Sequence, residues 1–470
     1  MSLFTPIQLA AWSGGTWTAQ PVVPLAGFCI DSRQLSPGQV FVAIKTGKRD
    51  GRDFLAAAQV AGAAAAIVAR ADPLVGLPQL VVPDPLVAFQ AIAREHRQNF
   101  PGKVVGISGS CGKTSTKNLL ALLLGGETGG VLATEGNLNN HLGVPLTLTR
   151  IDHAQHKFAV VEAGISAPGE MAPLAKMIEP DLALITLVAP AHLEELGDVE
   201  GVAREKALLP TAIRASGIAV FPRQCADFTP FRELDVRTLV VEPADVLRPA
   251  EPPKDRVFFA VTQRGDSTAL AIAYGVPPPL IFTMRRISNG MAQNVALAIC
   301  SALWLGVSHE VVQQRIAEWQ PAKWRGEFRR ENGVSLYLDC YNANPASMAD
   351  ALEMFFATAP ADEPRLLVLG CMEELGARAE DYHRKLGLSL CLGDQDHVIV
   401  IGDHSRDVRA GAIVAGGRPE QIQLATSIDA VRERLAGFRG AVFMKGSRRY
   451  ALEKALEPSS AHREPEKVAC

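Results

Sequence analysis

One short loop constrains the fold of this chain more than any other segment, and it reads Gly109-Ser110-Cys111-Gly112-Lys113-Thr114-Ser115. An apolar run at residues 103–108 precedes it and an amphipathic stretch at residues 114–124 follows it, which predicts a strand, a turn and a helix. Glycines in such a turn let backbone N–H groups converge on phosphate oxygens, and the helix N-terminus adds positive potential. The Lys113 ammonium can reach terminal phosphates, and the Thr114 hydroxyl can bind Mg²⁺. The loop therefore predicts binding of a nucleoside triphosphate.

The glycine spacing of this loop departs from the general phosphate-binding pattern. That pattern has a glycine six residues before the lysine, and Ile107 occupies this position here. The glycines fall at Gly106 and Gly109, so the loop matches the shorter form G-x-x-G-K-T/S. The loop by itself does not distinguish a kinase, a motor protein and a ligase. The alternative to phosphate binding is an ordinary glycine-rich turn before an exposed lysine.

The length of 470 residues is too great for one ordinary core, so we expect two or three domains. The first hundred residues combine short strands with an alanine-rich helix predicted at residues 54–65. Apolar runs at 158–162 and 182–187 alternate with helical stretches, which predicts buried parallel strands. Short alternating strands follow at residues 232–287, then a helix at 292–305. A further α/β unit is predicted from about Pro321, with strands at 336–339, 365–370, 397–401 and 441–445. We therefore predict an α/β fold with domains at 1–100, 101–320 and 321–470.

Composition and charge exclude several functional classes. The net charge of −3 gives no basic surface of the kind that binds nucleic acid. The eight cysteines are scattered without a C-x-x-C pair, so neither a disulfide framework nor a zinc finger is expected. The first residues lack the pattern of a signal peptide, and no apolar run is long enough to span a membrane. We expect a soluble, cytoplasmic protein without a nucleic-acid partner.

Two candidate metal ligands follow predicted strands. Glu162 ends the run at 158–162, and His192 follows the run at 182–187 after a short loop. Because the carboxyl ends of parallel strands meet at one edge of a sheet, we expect both residues near the phosphate loop. A carboxylate and an imidazole beside a nucleotide can hold Mg²⁺. Taken singly, Glu162 could cap a helix and His192 could be an ordinary loop residue.

Composition alone places Lys206 on a helix surface.

Two longer segments identify the family that the chain resembles. Residues 134–148 read Thr-Glu-Gly-Asn-Leu-Asn-Asn-His-Leu-Gly-Val-Pro-Leu-Thr-Leu, and residues 338–348 read Leu-Asp-Cys-Tyr-Asn-Ala-Asn-Pro-Ala-Ser-Met. Together with Asp31-Ser32-Arg33 and Lys445-Gly446-Ser447-Arg448, they resemble the Mur ligases, which add amino acids or dipeptides to the peptidoglycan precursor. Within that family, both long segments are most similar to the member that adds D-alanyl-D-alanine. The resemblance spans nearly the whole chain.

The resemblance implies an ATP-dependent ligase of three domains. Residues 1–100 would bind a UDP-sugar, residues 101–320 would form a central parallel-sheet ATPase domain of the P-loop type, and residues 321–470 a C-terminal Rossmann-like ligase domain. ATP and Mg²⁺ would be the cofactors. The substrates would be UDP-N-acetylmuramoyl-tripeptide and D-alanyl-D-alanine, joined through an acyl phosphate. We expect a monomer, and the third residue of the acceptor tripeptide is not determined by the sequence.

The resemblance also implies roles for individual residues. Catalytic roles are implied for Lys113, Glu162, His192, Lys206 and Arg325. Nucleotide contacts are implied for the phosphate loop at residues 109–115 and for Asn294, Arg325 and Asp339. Mg²⁺ contacts are implied for Thr114, Glu162, His192 and Lys206, the last as a carbamylated lysine. Contacts with the UDP-sugar, its peptide or the incoming dipeptide are implied for Asp31, Ser32, Arg33, Asn137, Asn139, Asn140, Asn342 and Asn344.

Several positions depart from the family pattern. Cys111 stands in the phosphate loop where Asn or Ser is more frequent, and its position near Lys113 predicts an acidic thiol that is open to alkylation. Gly290 and Met291 replace a His and an Asn that precede Asn294, which puts the usual adenine contacts in question. Cys371 replaces an Asp after Gly370, and Ala163 replaces a frequent Met after Glu162. None of these changes removes a proposed phosphate or metal ligand.

Three other functions remain open. Another Mur-type ligase or a folylpolyglutamate-synthetase-like ligase would share the ATP-binding core, although Asp31-Ser32-Arg33 and residues 341–345 argue against the folate enzymes. An NTPase that drives a conformational change would not need Glu162, His192 and Lys206 together. A catalytically silent scaffold would not need Lys113, Thr114 and Lys206.

Overall fold

The computed structural model describes residues 4–245, 247, 254–274, 278–331, 333–360 and 362–457. Three separate β-sheets follow one another along the chain, and helices pack on their faces. This confirms the predicted α/β class. The sheets use strands within residues 16–81, 103–285 and 327–445, while the boundaries at residues 100 and 320 remain a proposed division. Residues 458–470 of the third predicted domain lie outside the described part of the chain.

The first sheet has five short strands. Its elements are α1 (Pro6–Ser13), β1 (Thr16–Trp17), β2 (Phe28–Cys29), β3 (Val40–Val42), α2 (Leu55–Val60), β4 (Ala65–Val68), β5 (Gln79–Val81) and α3 (Pro85–Gln98). The strand order is β1-β5-β4-β3-β2, and β1 pairs antiparallel with β5 while the other pairs are parallel. The predicted helix at residues 54–65 is too long, because Gly62 at φ 89° follows α2 and Ala65 already belongs to β4.

The second sheet is the largest and carries the phosphate loop. Its strands are β6 (Lys103–Ser108), β7 (Val131–Ala133), β8 (Phe158–Glu162), β9 (Leu182–Ile185), β10 (Ile218–Pro222), β11 (Thr238–Pro243), β12 (Arg256–Arg264), β13 (Ser267–Ala273) and β14 (Leu280–Arg285). Its helices are α4 (Lys113–Leu124), α5 (Gly143–Thr149), α6 (Met171–Ile178), α7 (Leu193–Leu196), α8 (Val199–Thr211), α9 (Thr229–Arg232), α10 (Asn289–Trp304) and α11 (His309–Ala317). The strand order is β14-β13-β12-β11-β10-β9-β6-β8-β7, antiparallel only between β12, β13 and β14.

The third sheet has six strands. Its elements are β15 (Glu327–Glu331), β16 (Val334–Asp339), α12 (Pro345–Thr358), β17 (Arg365–Gly370), α13 (Ala379–Leu388), β18 (His397–Ile401), α14 (Ser405–Val414), β19 (Ile422–Ala425), α15 (Ile428–Leu435) and β20 (Ala441–Lys445). The strand order is β15-β16-β20-β17-β18-β19, with all pairs parallel except β15 with β16. The four strands predicted here from the sequence are confirmed as β16, β17, β18 and β20.

Burial on both faces explains why the central strands are continuously apolar. Val104, Val105 and Ile107 of β6 are fully buried, and they divide between two cores on opposite faces of the second sheet. Helices α4 and α10 cover one face, and α6 and α8 cover the other. A strand without a solvent-facing side has no reason to alternate polar and apolar residues.

A buried ion pair fixes helix α3 to the second sheet. Arg97 is fully buried, and its guanidinium donates to Asp181 Oδ2 at 2.8 Å and to the backbone oxygens of Ile178 and Glu179 at 2.9 and 2.8 Å. Asp181 also accepts from the backbone N–H of Val104 at 2.9 Å. The pair therefore ties α3, α6 and the start of β6 together just before the phosphate loop.

Replacing Asp181 by Ala should destabilise the protein by about 3–5 kcal/mol, because the Arg97 charge would stay buried without its partner. Urea unfolding followed by circular dichroism measures this as a lower midpoint of the transition that includes the second sheet. Arg223→Ala is the matched control, because it breaks the solvent-exposed pair with Asp227. A loss no larger in Asp181→Ala than in the control would contradict a structural role for the pair.

Candidate active site

A cavity of about 600 Å³ lies between the second and third sheets. It opens at the carboxyl ends of β6, β8 and β9 on one side and of β16 and β20 on the other. Its polar lining comes mostly from the residues that the sequence singles out: Ser110, Cys111, Gly112, Lys113, Thr114, Ser115, Asn137, Asn139, Asn140, Glu162, His192, Asn294, Arg325, Asp339, Asn342 and Asn344. Ligands of open α/β sheets bind at this edge.

The phosphate loop is held by its own backbone and by the turn after β9. Gly109 has a φ of 149°, and a Cβ there would lie 1.9 Å from the Thr186 hydroxyl, so only glycine fits. The Ser110 N–H donates to the Leu187 oxygen at 2.8 Å, and the Lys113 ammonium donates to the Gly109 oxygen at 2.7 Å. Burial lowers the pKa of Lys113 from its ordinary value. The loop is thus shaped in advance of any ligand, with its lysine folded over it.

Glu162 is the carboxylate closest to the start of helix α4. It is buried, and it accepts from the Thr114 hydroxyl at 3.0 Å and from the Asn139 amide at 2.9 Å. The backbone N–H of Glu162 donates to the Thr134 hydroxyl at 3.0 Å, which fixes the end of β8. Carboxylate, hydroxyl and amide oxygens are the donor types that Mg²⁺ prefers, and Mg²⁺ commonly takes one or two carboxylates together with substrate phosphates. The residues present therefore fit this ion.

His192 lines the same cavity but contacts a different partner. It precedes α7, and its Nδ1 forms an ion-pair contact with Oε2 of Glu374 from the third sheet. Within the described part of the chain, no group of three or more His, Cys, Asp and Glu side chains is close enough to hold a metal by itself. The metal set predicted from the sequence thus remains a proposal, with Thr114 and Glu162 in direct contact and His192 elsewhere on the cavity wall.

Lys206 is buried rather than on a helix surface as composition alone suggests. It lies in the second half of α8 with 1% of its surface exposed, and it does not belong to the cavity lining. Burial, reinforced by the charge of Lys113, lowers the pKa of Lys206 well below its ordinary value. Burial therefore favours the neutral amine form of this lysine over the charged form.

The third sheet brings charged residues to the cavity from its own carboxyl edge. The Arg325 guanidinium lies 4.0 Å from the ring centre of Tyr341, and the Lys445 ammonium donates to Asp339 Oδ2 at 2.6 Å. Burial raises the pKa of Asp339. No role was predicted for Lys445 from the sequence, although it begins the family segment Lys445-Gly446-Ser447-Arg448. Its contact with Asp339 depends on the parallel pairing of β16 with β20.

Direct contacts join the two walls of the cavity. Asn344 caps helix α12, and its amide donates to the Ser110 oxygen of the phosphate loop at 3.3 Å. Asp350 of α12 accepts from the Gly290 N–H at 2.6 Å and from the Ser288 hydroxyl at 2.7 Å at the start of α10. A Cβ on Gly290 would lie 2.8 Å from the Asp350 carboxylate. Glycine at position 290, which departs from the family pattern, therefore makes room for Asp350 of helix α12.

Asn294 packs against the phosphate loop. A Cβ on Gly112, which has a φ of 77°, would lie 2.5 Å from the Asn294 amide nitrogen. The close approach of α10 therefore requires glycine at position 112. The side chain of Asn294 lies against the loop itself, and its role in the nucleotide site stays a prediction.

The prediction of an acidic thiol at Cys111 is wrong. Burial raises its pKa to about 11, and this effect outweighs the nearby charge of Lys113. Cys111 is also not the most accessible thiol, because Cys391 is exposed while Cys111 is only partly so. The sequence shows the lysine and the helix N-terminus, which lower the pKa of a nearby thiol. It does not show how deeply the loop is buried, and burial raises that pKa.

The predicted substrate residues fall into two groups. Asn137, Asn139 and Asn140 line the cavity. Asp31, Ser32 and Arg33 belong to the first sheet's region and lie outside this cavity, where Asp31 pairs with Arg33 at 2.6 Å. The Arg33 contact lowers the pKa of Asp31 to about 2. The structure thus separates the residues predicted for the uridine end from those at the phosphate loop.

Three family models match successive parts of the chain. They describe the "Mur ligase family, catalytic domain" at residues 24–108, the "Mur ligase middle domain" at 107–238 and the "Mur ligase, glutamate ligase domain" at 324–448. A curated relative, UDP-N-acetylmuramoyl-tripeptide--D-alanyl-D-alanine ligase from Escherichia coli (strain K12), is 31% identical over 444 residues, which cover 92% of this chain and 93% of the relative.

Solved structures agree with these matches. MurF from Acinetobacter baumannii is 26% identical with a TM-score of 0.85, and the alignment covers 97% of this chain and 98% of that one. The MurF ligase from Thermotoga maritima in complex with ADP is 27% identical with a TM-score of 0.77, and the alignment covers 92% and 96%. The fold, the cavity and these matches together show that the chain belongs to the Mur ligase family.

Proposed function

We propose that this protein is an ATP-dependent ligase that joins D-alanyl-D-alanine to UDP-N-acetylmuramoyl-tripeptide through an acyl phosphate. The observation that carries the proposal is the cavity in which the phosphate loop faces Arg325, Asp339 and Asn344 of the third domain. The Escherichia coli relative, which aligns along almost the whole chain, bears the name of this activity. The product would be the pentapeptide precursor of peptidoglycan, and the reaction fits a cytoplasmic monomer.

ATP is the nucleotide that this site fits. The backbone N–H groups of residues 109–115 and the start of α4 would bind the phosphates, and Lys113 would leave the Gly109 oxygen to pair with them. Asn294 lies against the loop, and Arg325 and Asp339 face it from the third sheet. The Thermotoga maritima MurF structure holds ADP, the product of such a reaction.

Mg²⁺ would be held by Thr114, Glu162, His192 and a carbamate on Lys206. When bound, the ion would neutralise charge on the phosphoryl group during transfer. Glu162 would exchange its hydrogen bonds with Thr114 and Asn139 for such a role. Only a neutral amine reacts with CO₂, and burial favours that form of Lys206. The carbamate would bring a negative charge beside Lys113.

The chemistry would proceed in two steps. A carboxylate oxygen of the tripeptide attacks the γ-phosphorus, the bond to ADP breaks, and Lys113 and Arg325 stabilise the charge on the transferred group. The amine of D-alanyl-D-alanine then attacks the acyl carbon, loses a proton, and phosphate leaves with the bonding electrons. Asn137, Asn139 and Asn140 would line the path of the peptide, and Asn342 and Asn344 would lie near the dipeptide.

Water must be kept out because it would hydrolyse the acyl phosphate. The contacts of Asn344 with Ser110 and of Asp350 with Gly290 close the cavity between the two sheets. Asp31, Ser32 and Arg33 lie away from this cavity, which suits binding of the distant uridine end of a long substrate. Domain closure of this kind is the usual device for committing a substrate.

The proposal predicts that phosphate release from Mg-ATP requires both UDP-N-acetylmuramoyl-tripeptide and D-alanyl-D-alanine. A coupled phosphate assay with each component omitted in turn measures this dependence. Lys113→Met should lower kcat by at least about 100-fold, since it removes charge stabilisation in the transition state. Phosphate release with ATP alone, unaffected by either substrate, would instead identify an NTPase that is not a ligase.

Lys206→Ala should lower kcat at least about 100-fold because it removes a metal-ligand carboxylate. Acetate or propionate should restore part of the activity, since a small carboxylate can occupy the space of the lost carbamate. Lys176→Ala is the control, because Lys176 lies on the exposed side of α6. Unchanged activity in Lys206→Ala would remove Lys206 from the site.

A further inference from the structure

The loop that follows β17 touches the histidine loop of the second sheet. Oε2 of Glu374 contacts Nδ1 of His192, and the backbone N–H of Glu194 donates to the Glu374 oxygen at 3.3 Å. Leu193 and Leu375, which flank these residues, are both buried. The contact therefore consists of a carboxylate–imidazole contact and a backbone hydrogen bond between two domains.

Both partners hold an uncommon backbone conformation. His192 has a φ of 53° and Glu374 a φ of 61°, in the left-handed region that residues other than glycine seldom adopt. Such conformations cost energy and persist only where the surrounding structure requires them. Gly376, at φ 57°, lets the loop come close, because a Cβ there would lie 3.3 Å from the Glu194 Cα. The two strained positions lie opposite each other and bring the two side chains into contact.

A carboxylate at Nδ1 determines what the other nitrogen of the imidazole can do. An imidazole that donates from Nδ1 to a carboxylate keeps the lone pair on Nε2. His192 lines the cavity that also contains Thr114 and Glu162. A carboxylate behind a histidine is the arrangement that orients metal-binding imidazoles and makes them more basic.

We propose that Glu374 is a positioning residue that orients His192 toward the nucleotide site only when the third domain is docked. The proposal rests on the proposed function, because it concerns the metal-nucleotide complex of that site. It makes docking a condition for a complete site: Glu374 arrives with the loop after β17, and without it the ring of His192 can take either tautomer and orientation.

The neighbouring Glu373 provides a matched control. Its carboxylate contacts Tyr450 and pairs with Arg449 at 3.1 Å, both within the third domain. Glu374 is 54% exposed as a side chain, so its replacement should not prevent folding. The two residues thus share a loop and a charge but have partners in different domains.

Binding of Mn²⁺ to the full-length protein in the presence of ADP, followed by electron paramagnetic resonance, tests the proposal without requiring turnover. Glu374→Ala should weaken Mn²⁺ binding by about 10-fold or more, Glu374→Gln should lose less, and Glu373→Ala should match the wild type. In a His192→Asn background, Glu374→Ala should cause no further loss.

Equal Mn²⁺ affinity in Glu374→Ala and the wild type would overturn the proposal, as would a loss that persists undiminished in the His192→Asn background. Wild-type ligase activity is measured on the same samples. If the wild type ligates while Glu374→Ala keeps its Mn²⁺ affinity, the inference fails and the proposed function stands. If the wild type binds Mn²⁺ with ADP but does not ligate, the proposed function fails instead.

Discussion

The parallel pairing of β6 with β8 and β9 is the constraint on which the site depends. It sets Ile107 beside Glu162 and Ser108 beside Ile185, so the phosphate loop, the carboxylate and the turn at Thr186 emerge together. A slip of one residue would turn these strands' buried side chains to the opposite face. Because both faces of the strands are buried, such a slip would disrupt two cores at once. The geometry of the site is thus fixed by packing far from it.

Part of the cavity wall comes from the third sheet and from the helices and loops that flank it. Asn344 and Asp350 on α12, and Glu374 after β17, each contact the second sheet's loops. A cavity closed by docking can admit ATP and a long substrate when open and exclude water when closed. Gly290, which lies against Asp350 of α12, has no side chain for this reason. The third domain therefore contributes both ligand-facing groups and the closure itself.

Local patterns predicted the features that local interactions determine. The strand at Lys103–Ser108, the phosphate loop and the helix after it follow from short-range signals, as does Glu162 at the end of β8. The α/β class with three domains and the family followed from the order of strands and from long motifs. The helix at 54–65 was overextended because the alanines of β4 favour a helix by propensity and a strand only by burial.

Contacts between distant segments account for what the sequence did not predict. The acidity of the Cys111 thiol depends on its depth in the fold, and the expected acidity was wrong. The burial of Lys206 also depends on depth; composition alone suggests a surface position, and only the family resemblance placed this lysine in the site. The contact of Lys445 with Asp339 forms only because strands β16 and β20 are neighbours in the sheet. Position 290 has no side chain, and the Asp350 carboxylate fills the space beside it and accepts from its backbone N–H. These two residues are 60 positions apart in the chain.

The central claim is that this cavity activates a carboxylate by phosphorylating it. UDP-N-acetylmuramoyl-tripeptide labelled with ¹⁸O in its reacting carboxylate tests this claim most directly, with ATP and D-alanyl-D-alanine in unlabelled water. An acyl phosphate passes one carboxylate oxygen to phosphate, so mass spectrometry of the released phosphate should show one ¹⁸O atom per turnover. Phosphate without ¹⁸O, released while the peptide product forms, would contradict the account.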